Sequence, residues 1–465
     1  MKSDLGKNDR MDKLVSLCKR RGFIFPDSEI YGGLANSWDY GPLGVLLKNN
    51  LRREWWKFFV TSRADMVGVD SSIIMNPKVW EASGHLGNFS DPLVECKKCH
   101  HRFRADHLLE STAIEPKHEK ERPRSAAHIK CPDCSGELTE TKQFNLMFKT
   151  FIGPVEDAGS AAYLRPELAA GMFTNFKNVL DSLRLRLPFG IAQSGRTFRN
   201  EITTGNFIFR TREFEIMEFE YFIRPEEWRE HFERWLMEIK RWWTEVVGAD
   251  MGNFYFHEIP DGERAHYSER TVDIEYQYPF GLKELHGLAY RTDFDLKRHM
   301  EASGVDLSYR DPVSGEKFIP HCIEPTFGLD RMVLVTLLEH FEEVEGGRSE
   351  EGESKHEKEI VLRLPRALAP IQAAVFPLSK KEPLTHLAGD LAQELRAVGF
   401  STQYDETGSI GKRYRRQDEI GTPFCVTVDF ETLEDKKVTV RDRDSMAQER
   451  VGIGEIVGYF KEKFA

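Results

Sequence analysis

The stretch RTFRNEITTGNFIFRTREFEIMEFEYF, residues 196–222, alternates charged and apolar side chains over most of its length. This alternation predicts two extended runs, Arg196–Ile202 and Phe207–Tyr221, joined by a turn at Thr203–Asn206 in which Gly205 tolerates a positive φ. Successive side chains of a strand point to opposite faces, so each run is expected to gather polar groups on one face. Those groups are Arg199 and Glu201 on the first run, and Arg210, Arg212, Phe214 and Glu218 on the second.

Such a face suits a nucleotide better than a protein core, because buried charges must be paired. Guanidinium groups bind phosphate, a carboxylate accepts a hydrogen bond from an adenine amine, and the ring of Phe214 can stack on the base. The alternation alone is equally consistent with an exposed hairpin that carries surface ion pairs. The pattern therefore leaves two interpretations, a nucleotide site and a solvated hairpin.

The order of the residues favours the nucleotide site. Arg199-Asn-Glu201, a loop and then Arg210-x-x-x-Phe214 resemble motif 2 of class II aminoacyl-tRNA synthetases, and FRNEIT…NFIFRTREFE…ME resembles the dimeric glycyl enzymes in particular. The resemblance implies an α+β fold: an antiparallel-sheet catalytic domain with a zinc-binding insertion, followed by a small α/β anticodon-binding domain. It also implies the ATP-dependent attachment of glycine to tRNA(Gly) through a glycyl-adenylate, by a homodimer.

Composition sets the broad class. The chain has 465 residues, of which 40% are hydrophobic, and a formal net charge of −11. This length predicts about two to four domains, and the acidic balance argues against general nucleic-acid affinity while leaving room for a specific RNA partner. No stretch approaches the roughly 20 apolar residues of a membrane helix, and the N-terminus resembles neither a signal nor a transit peptide. We expect a cytoplasmic protein without a membrane association.

We divide the chain by changes in composition and by the resemblance. The predicted parts are an N-terminal part of the catalytic domain with motif 1 (1–91), a zinc-binding insertion (92–140), the remaining catalytic domain with motifs 2 and 3 (141–341), an acidic linker (342–359) and an anticodon-binding domain (360–465). Residues 342–358 are acidic, contain glycine and lack aromatic residues, so this segment is expected to be a linker or a mobile loop.

Seven cysteines include two Cys-x-x-Cys pairs, Cys96 with Cys99 and Cys131 with Cys134, each beside turn-forming residues. Two such pairs can place four thiolates around one Zn²⁺, which would leave no open position and would therefore be structural. Two redox dithiols are the alternative, favoured less because the context differs. Between the pairs, Arg102–His107 reads RFRADH, which resembles the segment whose second arginine, here Arg104, reaches the substrate in the glycyl enzymes. Without that resemblance a solvated basic turn is the simpler interpretation.

The resemblance implies a glycine pocket in which Glu167 and Glu218 take the ammonium group, and in which Glu324 and Thr326 crowd the α-carbon. The family usually has threonine and glutamine where this chain has Leu168 and Ala170, and serine where it has Thr326. These differences remove a hydroxyl and an amide and add a methyl group, which either tightens the pocket or rotates away. The predicted glycine-binding residues are Arg104, Glu167, Phe214, Glu215, Ile216, Met217, Glu218, Glu324, Pro325, Thr326, Phe327 and Gly328.

The resemblance also assigns the nucleotide side. Arg199, Arg331 and Glu284 are the implied catalytic residues, with Glu284 meeting the ATP-bound Mg²⁺, since Mg²⁺ usually takes only one or two carboxylates from protein. Arg331 follows a predicted strand, in the first turn of a helix, where anions are favoured. The predicted ATP-binding residues are Arg199, Asn200, Glu201, Phe209, Arg210, Thr211, Arg212, Glu213, Phe214, Glu284, Leu285, Gly328, Leu329, Asp330 and Arg331.

Helical periodicity predicts further elements. A helix opens at Gly41-Pro42, and its apolar stripe indicates core packing, or a dimer surface if it is motif 1. A short helix is predicted around Met11–Lys19, and a second amphipathic helix over Pro225–Val247. In the last domain, strands are predicted at Leu362–Ala369, Ala373–Phe376, Phe400–Tyr404, Phe424–Phe430 and Val438–Arg441, with a helix at Pro383–Val398.

The segment from Gly411 to Arg416 concentrates four cations and one aromatic residue. These side chains suit phosphate contacts and base stacking, although a solvated helix face is an equal alternative from local sequence. The flanking residues resemble the anticodon-binding domain of class IIa synthetases, which implies tRNA contacts by Lys412, Arg413, Tyr414, Arg415 and Arg416.

Two rival functions are weaker. A synthetase-like protein that binds RNA or DNA without aminoacylation is expected to have lost its nucleotide-binding arginines, yet Arg199 and Arg331 are present. A synthetase for threonine, proline or histidine conflicts with Glu324-Pro-Thr and with the Cys-x-x-Cys insertion. The signatures of class I synthetases, HIGH and KMSKS, are absent from the sequence.

Overall fold

The computed structural model describes residues 2–113, 129–265, 267–345 and 358–464. The N-terminal region begins with a helix longer than the predicted Met11–Lys19 segment and contains the helix predicted from Gly41-Pro42. Its elements are α1 (Lys2–Arg21), β1 (Ile24–Pro26), β2 (Trp38–Tyr40), α2 (Pro42–Trp56), β3 (Met66–Gly68), α3 (Pro77–Ala82) and α4 (His85–Asn88).

Helix α2 packs its apolar stripe into the catalytic core and continues into a π-helical turn, Lys57–Thr61. Leu47, Leu51, Trp55 and Phe59 are fully buried. Gly44 is required on this helix, because a Cβ there would lie 1.9 Å from the carbonyl oxygen of Phe23. Core packing, one of the two expected roles of the stripe, is therefore confirmed for these four side chains.

The insertion is a three-stranded antiparallel sheet, in the order β5-β4-β6, with one helix. Its described elements are β4 (Ser90–Glu95), β5 (Arg102–Arg104), α5 (Ala105–Ala113) and β6 (Lys142–Asn145). The RFRADH segment is thus the end of a strand and the start of a helix, and the alternative of a solvated basic turn is wrong. The middle of the insertion, residues 114–128, lies outside the described residues.

The remaining catalytic domain contains the predicted strands and helices of motifs 2 and 3. Its elements are β7 (Lys149–Phe151), β8 (Ala161–Tyr163), α6 (Ala169–Leu183), β9 (Phe189–Phe198), β10 (Glu213–Ile223), α7 (Trp228–Arg241), β11 (Phe254–Glu258), β12 (Arg270–Tyr278), β13 (Gly281–Thr292), α8 (Phe294–Ser303), β14 (Tyr309–Arg310), β15 (Lys317–Phe318), β16 (His321–Gly328) and α9 (Leu329–His340). The helix predicted at Pro225–Val247 comprises a short 3₁₀ turn, α7 and a π-helical turn that ends at Gly248.

A seven-stranded sheet organises this domain, in the order β11-β12-β13-β16-β10-β9-β3. Every pair is antiparallel except β3 with β9. Strand β10 shows why the sheet has two different faces: Met217, Phe219 and Tyr221 enter the large core beneath α2, α7 and α9, while the alternate residues Glu218 and Glu220 face the other way. The buried carboxylates of β10 and the neighbouring β16 therefore share a face, as the register of Glu218 with Thr326 requires.

Motif 2 differs from the sequence prediction at its turn. The first strand ends at Phe198, not Ile202, and the second begins at Glu213, because Phe207–Phe209 form a 3₁₀ turn. All three side chains of that turn enter the same core, whereas consecutive side chains of a strand point to opposite faces. The positive φ angles fall on Asn206 (56°) and Phe207 (61°), not on Gly205.

The predicted linker begins and ends in strands. Strand β17 (Phe341–Val344) pairs antiparallel with β18 (Glu359–Leu362), and Val344 lies opposite Glu359. A mobile loop is thus wrong for residues 342–344, and residues 346–357 lie outside the described residues.

The last domain has a mixed five-stranded sheet in the order β20-β19-β21-β22-β23, with a core of its own. Its elements are β19 (Ala373–Pro377), α10 (Leu384–Ala397), β20 (Thr402–Tyr404), α11 (Ile410–Ile420), β21 (Phe424–Val428), α12 (Thr432–Asp435), β22 (Lys437–Asp442), β23 (Gln448–Gly452) and α13 (Ile456–Lys463). The strand predicted at Leu362–Ala369 ends at Leu362, and a 3₁₀ turn, Arg366–Leu368, follows it. Within the described parts of the chain, no helix is long and apolar enough to cross a membrane.

Candidate active site

A cleft of about 660 Å³ opens on the carboxylate-bearing face of the large sheet. Residues from β10, β12, β13 and β16 form its floor, and Arg104 reaches it from the insertion. The cleft brings together most of the residues predicted to bind ATP or glycine: Arg104, Glu167, Arg199, Glu201, Phe209, Arg210, Thr211, Phe214, Glu215, Ile216, Glu218, Glu284, Leu285, Glu324, Thr326, Gly328, Asp330 and Arg331.

Seven predicted residues do not line the cleft. Met217, Phe327 and Leu329 are buried in the main core on the opposite side, as strand alternation and the helix start require. Glu213 is exposed and pairs with Arg196. The complete set outside the lining is Asn200, Arg212, Glu213, Met217, Pro325, Phe327 and Leu329.

At the cationic end of the cleft, backbone carbonyl oxygens position the arginine side chains. Arg331 donates from Nη1 to the Glu284 carbonyl oxygen at 3.0 Å and from Nε to that of Phe209 at 3.3 Å. Arg199 donates from Nε to the Pro166 carbonyl oxygen at 3.2 Å, and its guanidinium lies 5.4 Å from the ring centroid of Phe214. Carbonyl and ring contacts leave both cations able to bind an anion.

Arg210 adds a third guanidinium at this end. Burial lowers the pKa of Arg210, and the Arg331 and Arg104 guanidiniums lower it further, against the opposing effect of the Glu201 carboxylate. A guanidinium whose pKa is lowered by two neighbouring guanidiniums indicates a site suited to a polyanion.

Glu201 lies at the base-binding end expected from the sequence. Its Oε2 is buried and has no hydrogen-bond partner among the described residues. An unpaired buried carboxylate oxygen is costly, and an adenine amine is a donor of the kind that would satisfy it. Phe214, which also lines the cleft, supplies the ring on which a base can stack.

Two of the predicted binding residues support the floor. Asp330 Oδ2 accepts a hydrogen bond from the Glu215 backbone N–H at 2.7 Å, and Lys48 of α2 bridges both carboxylates at 2.8 and 3.1 Å. Arg52 of the same helix also pairs with Glu215. Helix α2 therefore fixes the junction of motifs 2 and 3 beneath the cleft.

The other end of the cleft is a carboxylate pocket. Glu218 accepts hydrogen bonds from the Leu168 N–H at 3.1 Å and from the Thr326 hydroxyl at 2.5 Å. Glu324 accepts from Arg291 at 2.8 and 2.9 Å, and Arg291 also pairs with Asp295 at 2.8 Å. This pocket holds more negative than positive charge, which suits a small cationic group.

The pocket carboxylates differ in their affinity for protons. Burial raises the pKa of Glu218 to about 8, and repulsion by Glu324 and Glu167 adds to the effect. Burial would likewise raise the pKa of Glu167, but the charge and hydrogen bond of His85, 3.2 Å away, outweigh it and lower that pKa to about 2. Glu167 is therefore the carboxylate of this pair that stays ionised.

Comparisons with known proteins agree with this geometry. Residues 150–341 match the family model described as the tRNA synthetase class II core domain (G, H, P, S and T), and residues 372–463 match the anticodon binding domain. The "Glycine--tRNA ligase" of Thermobifida fusca (strain YX) is 52% identical over 467 residues, covering 99% of each chain. The chain belongs to the glycine–tRNA ligases.

Further comparisons point the same way. The "Glycine--tRNA ligase" of Streptomyces coelicolor is 52% identical to this ligase, and the alignment covers 98% of both chains. A crystal structure of prolyl-tRNA synthetase from Cryptosporidium parvum aligns with a TM-score of 0.62 over 97% of this chain and 76% of its own, at 15% identity. That similarity shows the fold alone, and confirms the predicted class II architecture.

Leu168 and Ala170, which depart from the family pattern near Glu167, do not line the cleft of this ligase. Leu168 is fully buried in the cluster around Phe173, and Ala170 packs against Trp80. Both side chains point into the protein, while the Leu168 N–H still binds Glu218. The hydroxyl and amide expected from the family are thus replaced by apolar packing behind the pocket.

Sequence reasoning missed three residues of the ligase site. Arg291 and His85 hold Glu324 and Glu167, and Asp273 lines the cleft beside Glu284. Burial, followed by repulsion from Glu284 and Glu275, raises the pKa of Asp273 to about 7. An isolated histidine, arginine or aspartate carries no signal of its partner.

The four cysteines of the insertion converge. Their sulfur atoms all lie within 4.8 Å of one another, with Cys96 Sγ 3.5 Å from Cys134 Sγ and Cys99 Sγ 3.7 Å from Cys131 Sγ. The Lys98 and Cys99 backbone N–H groups approach the Cys96 sulfur at 3.4 and 3.5 Å. Four thiols with supporting amides are a donor set that fits one tetrahedral metal ion.

Helix α11 presents the predicted tRNA contacts unequally. Arg413 is 3% exposed and donates to the carbonyl oxygens of Pro377 and Gly408, so its side chain supports the domain. Tyr414 donates to or accepts from the Thr427 hydroxyl at 2.7 Å, and Arg416 pairs with Asp405. The buried side chain of Arg413 is a poor RNA ligand, which corrects the prediction for that residue.

Proposed function

We propose that the cleft binds ATP at its cationic end and glycine at its carboxylate end, and that both steps of the glycine–tRNA ligase reaction occur where the two ends meet. The chain attaches glycine to tRNA(Gly) in an ATP-dependent reaction that passes through a glycyl-adenylate and releases pyrophosphate and AMP. The observation that carries the assignment is the convergence of Arg199, Arg210 and Arg331 on one side and of Glu167, Glu218 and Glu324 on the other.

In the first step, a glycine carboxylate oxygen attacks the α-phosphorus of ATP, and the bond to the β-phosphate oxygen breaks. No protein nucleophile is needed, because the carboxylate is already ionised, so catalysis consists of positioning and charge stabilisation. In our proposal, Arg199 holds the α-phosphate and the carboxylate, Arg331 holds the outer phosphates, and Arg210 binds the departing pyrophosphate. Glu201 and Phe214 orient the adenine.

In the second step, a hydroxyl of the terminal tRNA ribose attacks the glycyl carbonyl carbon and AMP leaves. The adenylate remains aligned for this attack if its ammonium stays bound to Glu167 and Glu218. Arg199, which holds the α-phosphate in the first step, then faces the phosphate of the leaving AMP, so this cation serves both steps.

Class II synthetases use Mg²⁺ with ATP. We propose Glu284 as the carboxylate that holds this ion, since its side chain lines the cleft within 3.5 Å of Arg331. A bound Mg²⁺ neutralises phosphate charge. Asp273, on the adjacent strand, is positioned to add a second carboxylate to that end of the cleft.

Selection of glycine must come from exclusion, because a larger cavity would favour alanine by about 1–3 kcal/mol per methylene. We propose that Glu324 and Thr326 form the wall that a Cβ would meet. Glu324 suits this role because Arg291 and Asp295 hold it in a fixed position, buried within the fold. A wall that cannot move penalises a larger substrate more than one that can.

We propose four further properties. The four-cysteine cluster holds a structural Zn²⁺, which fits its donor set. The chain forms a homodimer through the motif 1 region around α2, and it acts in the cytoplasm. Lys412 and Arg415, the more accessible cations of α11, contact tRNA(Gly) together with Arg416.

The test of the function is ATP–pyrophosphate exchange, with each of the twenty amino acids and added Mg²⁺. We expect exchange with glycine alone, and a loss of about 10²–10³-fold in kcat for Arg331→Ala, by analogy with removal of one oxyanion donor. Arg224→Ala is the matched control, because that arginine pairs with Asp311 away from the cleft. Exchange with another amino acid, or an active Arg331→Ala, would contradict the assignment.

A further inference from the structure

A chain of three polar side chains runs behind the glycine end of the cleft. Ser83 Oγ lies 2.8 Å from His85 Nδ1, and His85 Nε2 lies 3.2 Å from Glu167 Oε2. The chain is sheltered: Ser83 is 7% exposed, and the side chains of His85 and Glu167 are 11% and 14% exposed. Only Glu167, at its far end, lines the cleft.

The backbone between the first two members is specialised for their contact. Helix α3 ends at Ala82, and Gly84 adopts a left-handed conformation with φ of 83° before α4 begins at His85. This conformation is unfavourable for residues with a Cβ. The turn brings the Ser83 hydroxyl onto the imidazole, which the rings of Trp80 and Phe89 contact at centroid distances of 5.4 and 5.3 Å.

We propose that Ser83 and His85 are positioning residues for glycine, which fix Glu167 as a hydrogen-bonded carboxylate facing the substrate ammonium. This proposal rests on the assignment of Glu167 to the ammonium group. It adds two residues that do not touch the substrate, and it gives each a separate task. His85 supplies an N–H to Glu167, and Ser83 decides which imidazole nitrogen carries that hydrogen.

The task of Ser83 follows from the two tautomers of neutral histidine. If the Ser83 hydroxyl donates to Nδ1, the hydrogen of the ring must sit on Nε2, where it faces Glu167. Without the hydroxyl, a neutral ring is free to carry its hydrogen on Nδ1, and Nε2 then presents a lone pair to the carboxylate. That arrangement repels Glu167 instead of holding it.

Protonation of the ring changes the role of Ser83. An imidazolium has a hydrogen on both nitrogens, so Nε2 donates to Glu167 whatever Ser83 does. The Ser83 hydroxyl can then accept from Nδ1 and donate to the Trp80 carbonyl oxygen, which is 3.5 Å away. Ser83 is therefore needed when the ring is neutral and dispensable when the ring is charged.

Several other groups of the described residues lie near His85 or Glu167. The backbone oxygen of His85 accepts from the Asn145 side chain at 3.1 Å. The charges of Arg199 and Arg291 lower the pKa of the Glu167 carboxyl group. The charge of Glu167 in turn acts on His299 of α8. Arg298 of α8 donates to the Ala82 carbonyl oxygen at 3.2 Å. Glu167 is the only one of these groups that contacts the ring directly through a charged atom.

The decisive experiment measures the KM for glycine by pyrophosphate exchange from pH 6 to pH 9. For Ser83→Ala we expect an increase of about tenfold over the unchanged protein at pH 9, as for loss of one charge-assisted hydrogen bond. The increase should shrink to about twofold at pH 6. A factor that is constant across this range, or no increase at all, would overturn the relay.

A second pair of variants tests His85. In His85→Gln the side-chain amide can still donate to Glu167 but cannot titrate, so we expect a KM for glycine within about threefold of the unchanged protein at every pH. His85→Leu removes the donor and should raise this KM by about tenfold or more. Equal damage by Gln and Leu would overturn the proposal. His386→Leu, an exposed histidine of the last domain, is the matched control.

Two measurements separate this inference from the proposed function. Glu167→Gln must raise the KM for glycine while leaving that for ATP nearly unchanged; if it does not, the assignment of Glu167 fails. If Glu167→Gln behaves as expected but Ser83→Ala shows no pH-dependent effect, the relay alone fails. Melting temperatures within a few degrees of the unchanged protein confirm that each variant is folded.

Discussion

The hydroxyl of Thr326 lies 2.5 Å from Glu218 Oε1, across the strand pair β10–β16. The family usually has serine at this position, and the threonine keeps the hydrogen bond that a serine would make. Because Oγ1 is held by Glu218, the methyl group cannot exchange places with it, and its orientation is set. The additional methyl is therefore held in one orientation on a residue that lines the cleft.

Substitutions of Thr326 should separate the two roles of its side chain. Thr326→Ser keeps the hydroxyl, so the KM for glycine should stay within about threefold, whereas Thr326→Val should raise it by about tenfold, the cost of one buried hydrogen bond. If the methyl contributes to exclusion, Thr326→Ser should also increase the ratio of alanine to glycine activation. Pyrophosphate exchange with both amino acids measures these quantities, and equal KM values for Ser and Val would contradict the role of the hydroxyl.

Glu218→Gln should stabilise the empty protein at alkaline pH and weaken glycine binding. The pKa of Glu218 is raised to about 8 in the folded state, from an ordinary value near 4.5. The folded state therefore binds this proton more tightly than the unfolded chain, and the resulting stability is full below pH 4.5 and is lost as pH rises through 8. A glutamine has no such proton to lose.

The measurement is the melting temperature without ligands at pH 5 and pH 8.5. We expect Glu218→Gln to gain stability relative to the unchanged protein on going from pH 5 to pH 8.5, while its KM for glycine rises by about tenfold or more. The exposed pair of Arg196 with Glu213 offers a control, since Glu213→Gln should show neither effect. A pH-independent difference in melting temperature would show that Glu218 is ionised in the empty pocket.

The cysteine cluster should hold one zinc ion per chain. Cys99→Ser should abolish this zinc content and lower the melting temperature, because a structural site contributes directly to folding. It should also lower pyrophosphate exchange, since Arg104 of the adjacent strand β5 lines the cleft and pairs with Asp91 at 2.7 Å. Elemental analysis gives the zinc content. Cys425→Ala, in the last domain, should keep it.

The next prediction concerns the binding of tRNA by helix α11. Arg415→Ala should lower kcat/KM for tRNA charging by about threefold or more and reduce its dependence on salt, because one phosphate contact is lost. Pyrophosphate exchange, which needs no tRNA, should be unchanged. Arg413→Ala should instead lower the melting temperature, since its guanidinium bonds carbonyl oxygens inside the domain. A charging defect in which the two variants are indistinguishable would contradict this division.

The regular elements with strong patterns were predictable from the sequence. Strand β16 leads into helix α9 with Arg331 in the first helical turn, as predicted, and the four cysteines converge as their spacing indicated. The period of two residues in strands and of 3.6 residues in helices is a local property of the sequence. It can therefore be recognised without knowledge of the rest of the chain.

Elements that depend on distant partners were not predictable. Phe207–Phe209 do not continue the strand, because the rings of Phe207 and Phe209 pack against Trp38, Tyr278 and Phe280. Strand β17 exists because β18 pairs with it. In the site, the charged residues lining the cleft followed from the family motifs, but the groups behind them, His85 and Arg291, became apparent only when the strands were assembled.

The pairing of β17 with β18 has one more consequence. Val344 and Glu359 lie opposite each other on paired antiparallel strands. The end of β17 and the start of β18 are therefore side by side. The separation of the two strands is consequently independent of the fourteen positions between them in the sequence. A pair of hydrogen-bonded strands sets the distance between the catalytic domain and the anticodon-binding domain. The acidic segment can therefore differ in length without changing the span that a tRNA must bridge.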